Sequence, residues 1–167
     1  MKPGEHPEFF RLPAPPGRSR ESTIRLDASG TFWHDGARVE HAAMARAFAT
    51  WIDRHPDDGR FILNNGYDWT YFTVADVPFF VEGLRLDGEG ATLLLSDGSE
   101  EPLDAESLSV GQGDAVFVRV KQGRFEARFR PQAQTALMPL LEPGPEGEPE
   151  ILLGSRRFSI GKRAVPA

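Results

Sequence analysis

The chain has 167 residues and a mass of 18.5 kDa, room for one ordinary domain or two small lobes. Its formal charge of −6 and pI near 5.2 argue against nucleic acid as the main partner, because phosphate binding needs a basic surface. The absence of cysteine excludes disulfide scaffolds, Cys-based zinc sites, iron–sulfur clusters and thiol catalysis.

Residues 1–20 hold five prolines and two glycines, and proline lacks an N–H and disfavours helix in the residue before it. The segment reads as a mobile lead-in over 1–22. Phe9, Phe10 and Leu12 are its only apolar cluster, free or docked on the body. It has no apolar core of the kind a signal peptide carries. No run in the chain approaches the roughly 20 apolar residues a membrane span needs. The expectation is a cytoplasmic protein without membrane contact.

Residues 23–26 and 31–34 predict a first strand pair around the turn residues 27–30, and Asp35-Gly36 supplies a tight hairpin turn. Met44, Ala47, Phe48, Trp51 and Ile52 fall at the spacing of one helical face, which predicts a helix over 41–54. Pro56, Asp57, Asp58 and Gly59 then stop it. Strands follow over 60–64 and, beyond the Asn65-Gly66 turn, through the alternating run 69–74. A longer strand over 79–86 and another over 91–96 flank Asp87-Gly88. Asp-Gly turns of this kind favour antiparallel neighbours. From Asp87 to Asp114, both included, there are eight acidic residues and no Lys or Arg, so 96–113 reads as a solvated acidic connection. Residues 116–120 and 125–129 form a hairpin around Gln122-Gly123. Pro131 opens a second helix that Pro139 shortens, and 151–153 with 157–160 close the chain as a last hairpin. The two halves hint at an internal duplication, a likeness that chance resemblance between hairpins explains equally well.

Motifs that would fix a reaction are missing. His6, His34, His41 and His55 have neither i, i+4 spacing nor an H-E-x-x-H frame, so surface or capping roles outweigh zinc. His55 reads as a cation on the last turn of the helix. An EF-hand loop from Asp97 would need Gly where Pro102 stands and Glu where Leu108 stands. Gly111-Gln-Gly113 lacks the third glycine of a dinucleotide turn, and Ile160-Gly161-Lys162 lacks the upstream glycine of a P-loop. No G-x-S-x-G occurs.

What remains is polar residues set among aromatics. Trp33, His34 and Asp35 meet at a hairpin tip, and Tyr67, Asp68 and Trp69 repeat the mixture. Glu82 and Arg119 each interrupt an apolar strand. Two readings stand side by side for them: an inward-facing ion pair, since a lone buried charge is costly, or two solvent-facing side chains. The functional reading is a concave sheet lined by Trp69, Tyr71 and Arg119 that holds a small anion or peptide.

The ordered series Gly30-Thr-Phe-Trp-His-Asp-Gly36, Phe48 with Asp58-Gly59, Trp69, Asp76-Val-Pro-Phe79, Val116-Phe-Val-Arg-Val120, Gly123-Arg-Phe-Glu-Ala127 and Gly154 to Phe158 resembles the proteobacterial domain-of-unknown-function family 1285. The likeness spans residues 24–160. Asn64-Asn65-Gly66, the connection 95–110 and Pro139 depart from the family pattern. The resemblance implies an α+β fold of two small similar lobes, each a curved antiparallel sheet with one helix. It carries no catalytic residues and no established activity; ligand binding or signalling is what it suggests.

The reading is therefore a lead-in over 1–22, one α+β lobe over 23–87, a second over 88–161 and a tail over 162–167. The protein is expected to be a non-enzymatic ligand-binding or sensory module without cofactor or metal. Trp33, His34, Trp69, Tyr71, Asp76, Glu82 and Arg119 are the candidate surface, and a small molecule or protein is the partner. Two alternatives remain. One is a hydrolase or isomerase using His34 and an acid such as Asp35 or Asp76. The other is an interaction adaptor that meets its partner through Phe9 and Phe10 or through strand edges.

Overall fold

Pro78 marks the point where the chain passes from one folded unit to the next: Met1–Pro78 forms unit 1 and Phe79–Ala167 forms unit 2. The computed structural model describes residues 2–164. The sequence boundary at 87/88 lies later than this, inside a hairpin. The strand before it pairs on both sides with unit 2, so ladder hydrogen bonding decides its membership. Of the expected tail, residues 165–167 lie outside the described residues.

Unit 1 comprises β1 (Arg25–Leu26), β2 (Phe32–His34), β3 (Ala37–Arg38), α1 (Ala42–Thr50), β4 (Ile52–Arg54), β5 (Phe61–Asn64), β6 (Trp69–Tyr71) and β7 (Thr73–Val74). One sheet has the order β3-β2-β1-β7, with β7 parallel to β1; the other is the antiparallel set β4-β5-β6. Asp35 and Gly36 take φ of 52° and 78°, the left-handed pair that a two-residue hairpin requires.

The helix is shorter than its periodicity predicts. Residues 52–54 leave it as β4, with Ile52 opposite Leu63 and Arg54 opposite Phe61. Ladder pairing and burial of the β-branched Ile52 outweigh the helical pattern of this stretch. His55 consequently sits past a strand, not on a helix end. Met44, assigned to the buried stripe, is 49% exposed.

The lead-in is docked, not free. It forms 3-10 turns at Pro3–Glu5 and Phe9–Arg11, and Phe9 is 4% exposed in a cluster with Ile62 and Trp69. Aromatic burial here overrides the flexible composition that the prolines suggest.

Unit 2 comprises β8 (Phe79–Asp87), β9 (Gly90–Leu95), β10 (Glu100–Pro102), β11 (Ser109–Val110), β12 (Val116–Val120), β13 (Phe125–Phe129), α2 (Pro131–Leu137), β14 (Leu141–Pro143), β15 (Pro149–Leu153), β16 (Arg156–Ser159) and β17 (Gly161–Lys162). A seven-stranded sheet runs β10-β9-β8-β13-β12-β11-β17 beside a three-stranded β14-β15-β16. The hairpins are antiparallel, as the turns predict, yet β13 meets β8, and β11 meets β17, in parallel. The acidic connection is more ordered than its charge suggests, since Glu100–Pro102 pairs with β9 and Leu108 is buried. Pro139 ends α2 by turning it into a 3-10 turn over Met138–Leu140.

The protein is thus α+β. Each unit pairs a larger sheet with a three-stranded one and adds a single α-helix. Among the described residues no helix is long and apolar enough to cross a membrane.

Candidate functional site

The five candidate side chains of unit 1 fall into two groups. Trp33 is half-buried on β2, where its indole N–H donates to Asp27 at 2.8 Å and the Arg25 guanidinium lies 4.6 Å from its ring. His34, at the exposed tip, has Nε2 3.5 Å from Asp35. Asp76 is half-buried and lines none of the hollows described below. These three come from the β1–β3 half of unit 1 and the segment that follows β7.

Trp69 and Tyr71 do come together, because residues two apart on a strand share a face. Their rings stand 5.1 Å apart and both face His55, at 4.9 and 5.7 Å. The face they make is filled. Trp69 is 6% exposed, with the Arg20 guanidinium 4.5 Å from its ring on one side and the Phe9 cluster on another. Arg60 lies 3.6 Å from the Tyr71 ring. The Tyr71 hydroxyl donates to Asp58 at 2.6 Å, and that bond, reinforced by burial, raises the phenol pKa; the same bond, with the Arg60 backbone N–H, lowers that of Asp58. The aromatic ribbon is therefore an interior, not the open concavity that the alternating pattern implies.

Of the two readings for Glu82 and Arg119, both in unit 2, the inward-facing ion pair does not form, and the solvent-facing one holds for Arg119 while Glu82 is half-buried. Glu82 is the extra residue of a β-bulge between Val81 and Gly83, and it lies 3.7 Å from Arg130. Arg119 is exposed on β12 and donates to the Gly123 carbonyl from Nε at 3.2 Å and from Nη2 at 2.9 Å. Strand alternation sends it outward between the buried Val118 and Val120. The bulge is what re-aims Glu82, and no sequence periodicity announces a bulge.

Each unit has a hollow of its own. In unit 1, Phe48, Trp51, Leu63, Asp68, Trp69 and Thr70 border a cleft of about 180 Å³. Trp69 is the one candidate that reaches it. Phe48 and Trp51, which the helical stripe assigns to the core, are half-exposed at its rim because α1 ends there.

In unit 2 a larger groove of about 890 Å³ opens beside β17, between the loop after β11 and the start of β15. Val110, Pro149 and Ile160 give it apolar surface, while Asp114, Glu148 and Lys162 add charges of both signs. Two features fix its wall. A Cβ on Gly111 would stand 2.8 Å from the Phe117 ring, so glycine lets the loop lie directly on that ring. Arg163 lies 3.8 Å above the same ring and donates to Glu126, with Nη2 to Oε1 at 2.7 Å. None of these residues is among the seven candidates; Gly111, Ile160, Gly161 and Lys162 are weighed for binding from the sequence only as parts of two phosphate-binding motifs that are incomplete. The groove residues come from strand ends and loops far apart in the chain, and only the pairing of β11 with β17 brings them together.

Among the described residues no group of three or more His, Asp or Glu side chains is placed to hold a metal. No protein-family model matches the sequence, and no curated protein matches it. Two solved structures share its fold. A DUF1285 family protein from Silicibacter pomeroyi DSS-3 is 20% identical, with a TM-score of 0.67 over 90% of this chain and 85% of that one. A DUF1285 family protein from Shewanella baltica OS155 is 17% identical, with a TM-score of 0.57 over 72% of this chain and 94% of that one. The structural neighbours are thus DUF1285 family proteins, the family that the sequence resembles, and theirs is the fold this chain adopts.

Proposed function

We propose that the protein is a non-enzymatic ligand-binding module of a sensory or signalling kind, working in the cytoplasm, and that the groove of unit 2 receives the ligand. One observation carries the reading. At about 890 Å³ the groove falls within the roughly 300–1,000 Å³ typical of small-molecule sites, and its lining mixes apolar surface with a few charged groups. The charge of −6 supports a small molecule or a protein over nucleic acid as the partner.

The hydrolase or isomerase alternative needs His34 and an acid inside a pocket, and His34 stands on an exposed hairpin tip. The adaptor alternative loses Phe9 and Phe10 as freely presented groups, because both pack on unit 1.

A thermal-shift screen of the full chain against metabolites and nucleotides tests the proposal. A ligand at 100 times its Kd adds about 2.7 kcal/mol of stability. Ser159→Trp, placed on the exposed strand position that lines the groove, should abolish that shift while the far-UV circular dichroism stays unchanged. Silence across the library, or a shift that survives Ser159→Trp, overturns the assignment.

A further inference from the structure

Two ring N–H groups of unit 1 address consecutive carbonyls of one short segment. Trp69 Nε1 donates to the Phe9 carbonyl at 3.3 Å, and His55 Nε2 lies 3.1 Å from the Phe10 carbonyl. The backbone N–H of Asp57 donates to His55 Nδ1 at 3.1 Å, so the ring proton sits on Nε2 and is donated to Phe10. The three residues Phe9, Phe10 and Arg11 are then read one by one. The Phe9 ring is buried with Ile62 and Trp69. The Phe10 ring stands edge-on to His55 at 5.7 Å and tilted to Trp69 at 6.3 Å. Arg11 forms a two-pronged pair with Asp57 at 3.2 and 3.0 Å.

The manner of attachment is that of a bound peptide. Among the described residues, 2–19 make one backbone–backbone hydrogen bond to the rest of unit 1, from Gly4 to the Gly66 carbonyl at 2.8 Å. Everything else is rings in pockets, side-chain donors on carbonyls and ion pairs, the means by which grooves recognise short peptide segments. Two devices keep the segment in place. Arg20 donates to the Leu12 and Pro13 carbonyls at 3.3 and 3.2 Å. Pro15-Pro16-Gly17-Arg18 closes a turn through Arg18 N–H to Pro15 carbonyl at 3.0 Å, with Gly17 at φ 77°.

We propose that the face built by His55, Asp57, Ile62 and Trp69 is a docking site for a short segment of a partner protein in which two adjacent aromatic residues precede an arginine and which adopts the same 3-10 turn, and that the chain's own Phe9–Arg11 occupies it as a competing intramolecular ligand. A tethered ligand acts at an effective concentration in the millimolar range, so an outside peptide binds with its intrinsic Kd divided by the small fraction of chains whose site is open. Weakening the tether's turn opens the site without touching it.

The probe is a fluorescent peptide with the sequence of residues 3–13, titrated into the full chain and followed by anisotropy. Gly17→Val places a β-branched residue at a left-handed φ with no atom within 4 Å of its Cβ, so it penalises the turn alone. A second variant, Phe9→Ser with Phe10→Ser and Arg11→Ser, empties the site by removing the side chains that fill it. Both should bind the peptide at least 10-fold more tightly than the native chain. Adding Asp57→Lys to either should remove at least 10-fold of that gain, and a peptide with Glu in place of Arg11 should recover it. Dimerisation of Gly17→Val that the peptide dissolves reports the same binding between two copies and supports the proposal. A peptide that binds neither variant, or that binds the opened site equally well with and without Asp57→Lys, overturns it.

Discussion

Asp27 accepts the indole N–H of Trp33 at 2.8 Å while the same side chain takes the backbone N–H of Ser29 and of Thr31 at 3.0 and 2.9 Å. One carboxylate thereby closes the β1–β2 turn and seats an aromatic ring. Burial pushes its pKa up, but the hydrogen bonds from Trp33, Thr31 and Ser29 outweigh burial and hold it at about 2, against an ordinary 3.8.

A group whose pKa is depressed by folding stabilises the folded state above its ordinary value and loses that contribution as pH falls through the folded value. The Asp27 contribution should therefore fade between about pH 4 and pH 2. Allowing for solvent screening, it is worth about 1 kcal/mol. Asp27→Ala should cost about that much at pH 7, and denaturant titrations should show the difference between the two proteins vanishing near pH 2. A constant difference across this range contradicts the role.

Lys121 should behave as a staple between two hairpins of unit 2. Its ammonium donates to Asp97 at 2.6 Å and to Ser99 at 2.8 Å, and its backbone N–H donates to both oxygens of Glu101 at 3.1 Å. Burial pushes the Asp97 carboxyl up, and the Lys121 and Ser99 hydrogen bonds bring it below the ordinary range. Lys121→Met leaves Asp97 without its cation and should cost about 1–3 kcal/mol. Lys121→Gly removes the same cation but relaxes a backbone at φ 55°, so it should cost measurably less. Equal losses in urea melts would show that backbone strain plays no part. Acidification below the ordinary carboxylate range should erase the advantage of the native lysine.

Double-mutant cycles distinguish the two partners considered for Glu82. With Glu82→Gln and Arg130→Gln, the coupling in chemical denaturation should be about 0.5–1 kcal/mol, as suits a half-buried pair at 3.7 Å. With Arg119→Gln in place of Arg130→Gln, it should fall below about 0.3 kcal/mol. The reverse ranking would restore the inward-facing pair with Arg119, one of the two readings of the strand pattern.

Truncating the lead-in's apolar residues separates docked from free behaviour. Phe9→Ala should destabilise by about 3–4 kcal/mol, because a buried aromatic ring leaves a cavity. Leu12→Ala, at a residue 57% exposed, should stay within about 0.5 kcal/mol. Similar small effects at both positions would return the segment to a mobile state.

The hairpins were legible for a local reason. Asp35-Gly36 and Gly123 tolerate left-handed backbone, and alternation in 125–129 marks which side chains face inward, so turn and strand are written within a few residues. The helix is legible up to Thr50 and not beyond it, because a periodic pattern cannot show that residues 52–54 have a ladder partner waiting at 61–63. The candidate site fared worse. Trp69 and Tyr71 are neighbours because a two-residue spacing guarantees a common face, but what covers that face comes from Phe9 and Phe10, about sixty residues earlier, and Arg20, about fifty earlier.

Sequence alone determined the order of the turns, the exclusion of thiol chemistry and the lack of a reaction-fixing motif, because each of these rests on residue type or short spacing, while the α+β fold was what the family resemblance implied. Tertiary structure alone decided that β8 joins unit 2, that a bulge turns Glu82 toward Arg130, that the aromatic ribbon is filled by the lead-in, and that β11 and β17 meet beside a groove. The physical reason is common to all four. Contacts between distant segments depend on which exposed edges and apolar faces find each other once local elements exist, and that competition leaves no periodic mark on the chain.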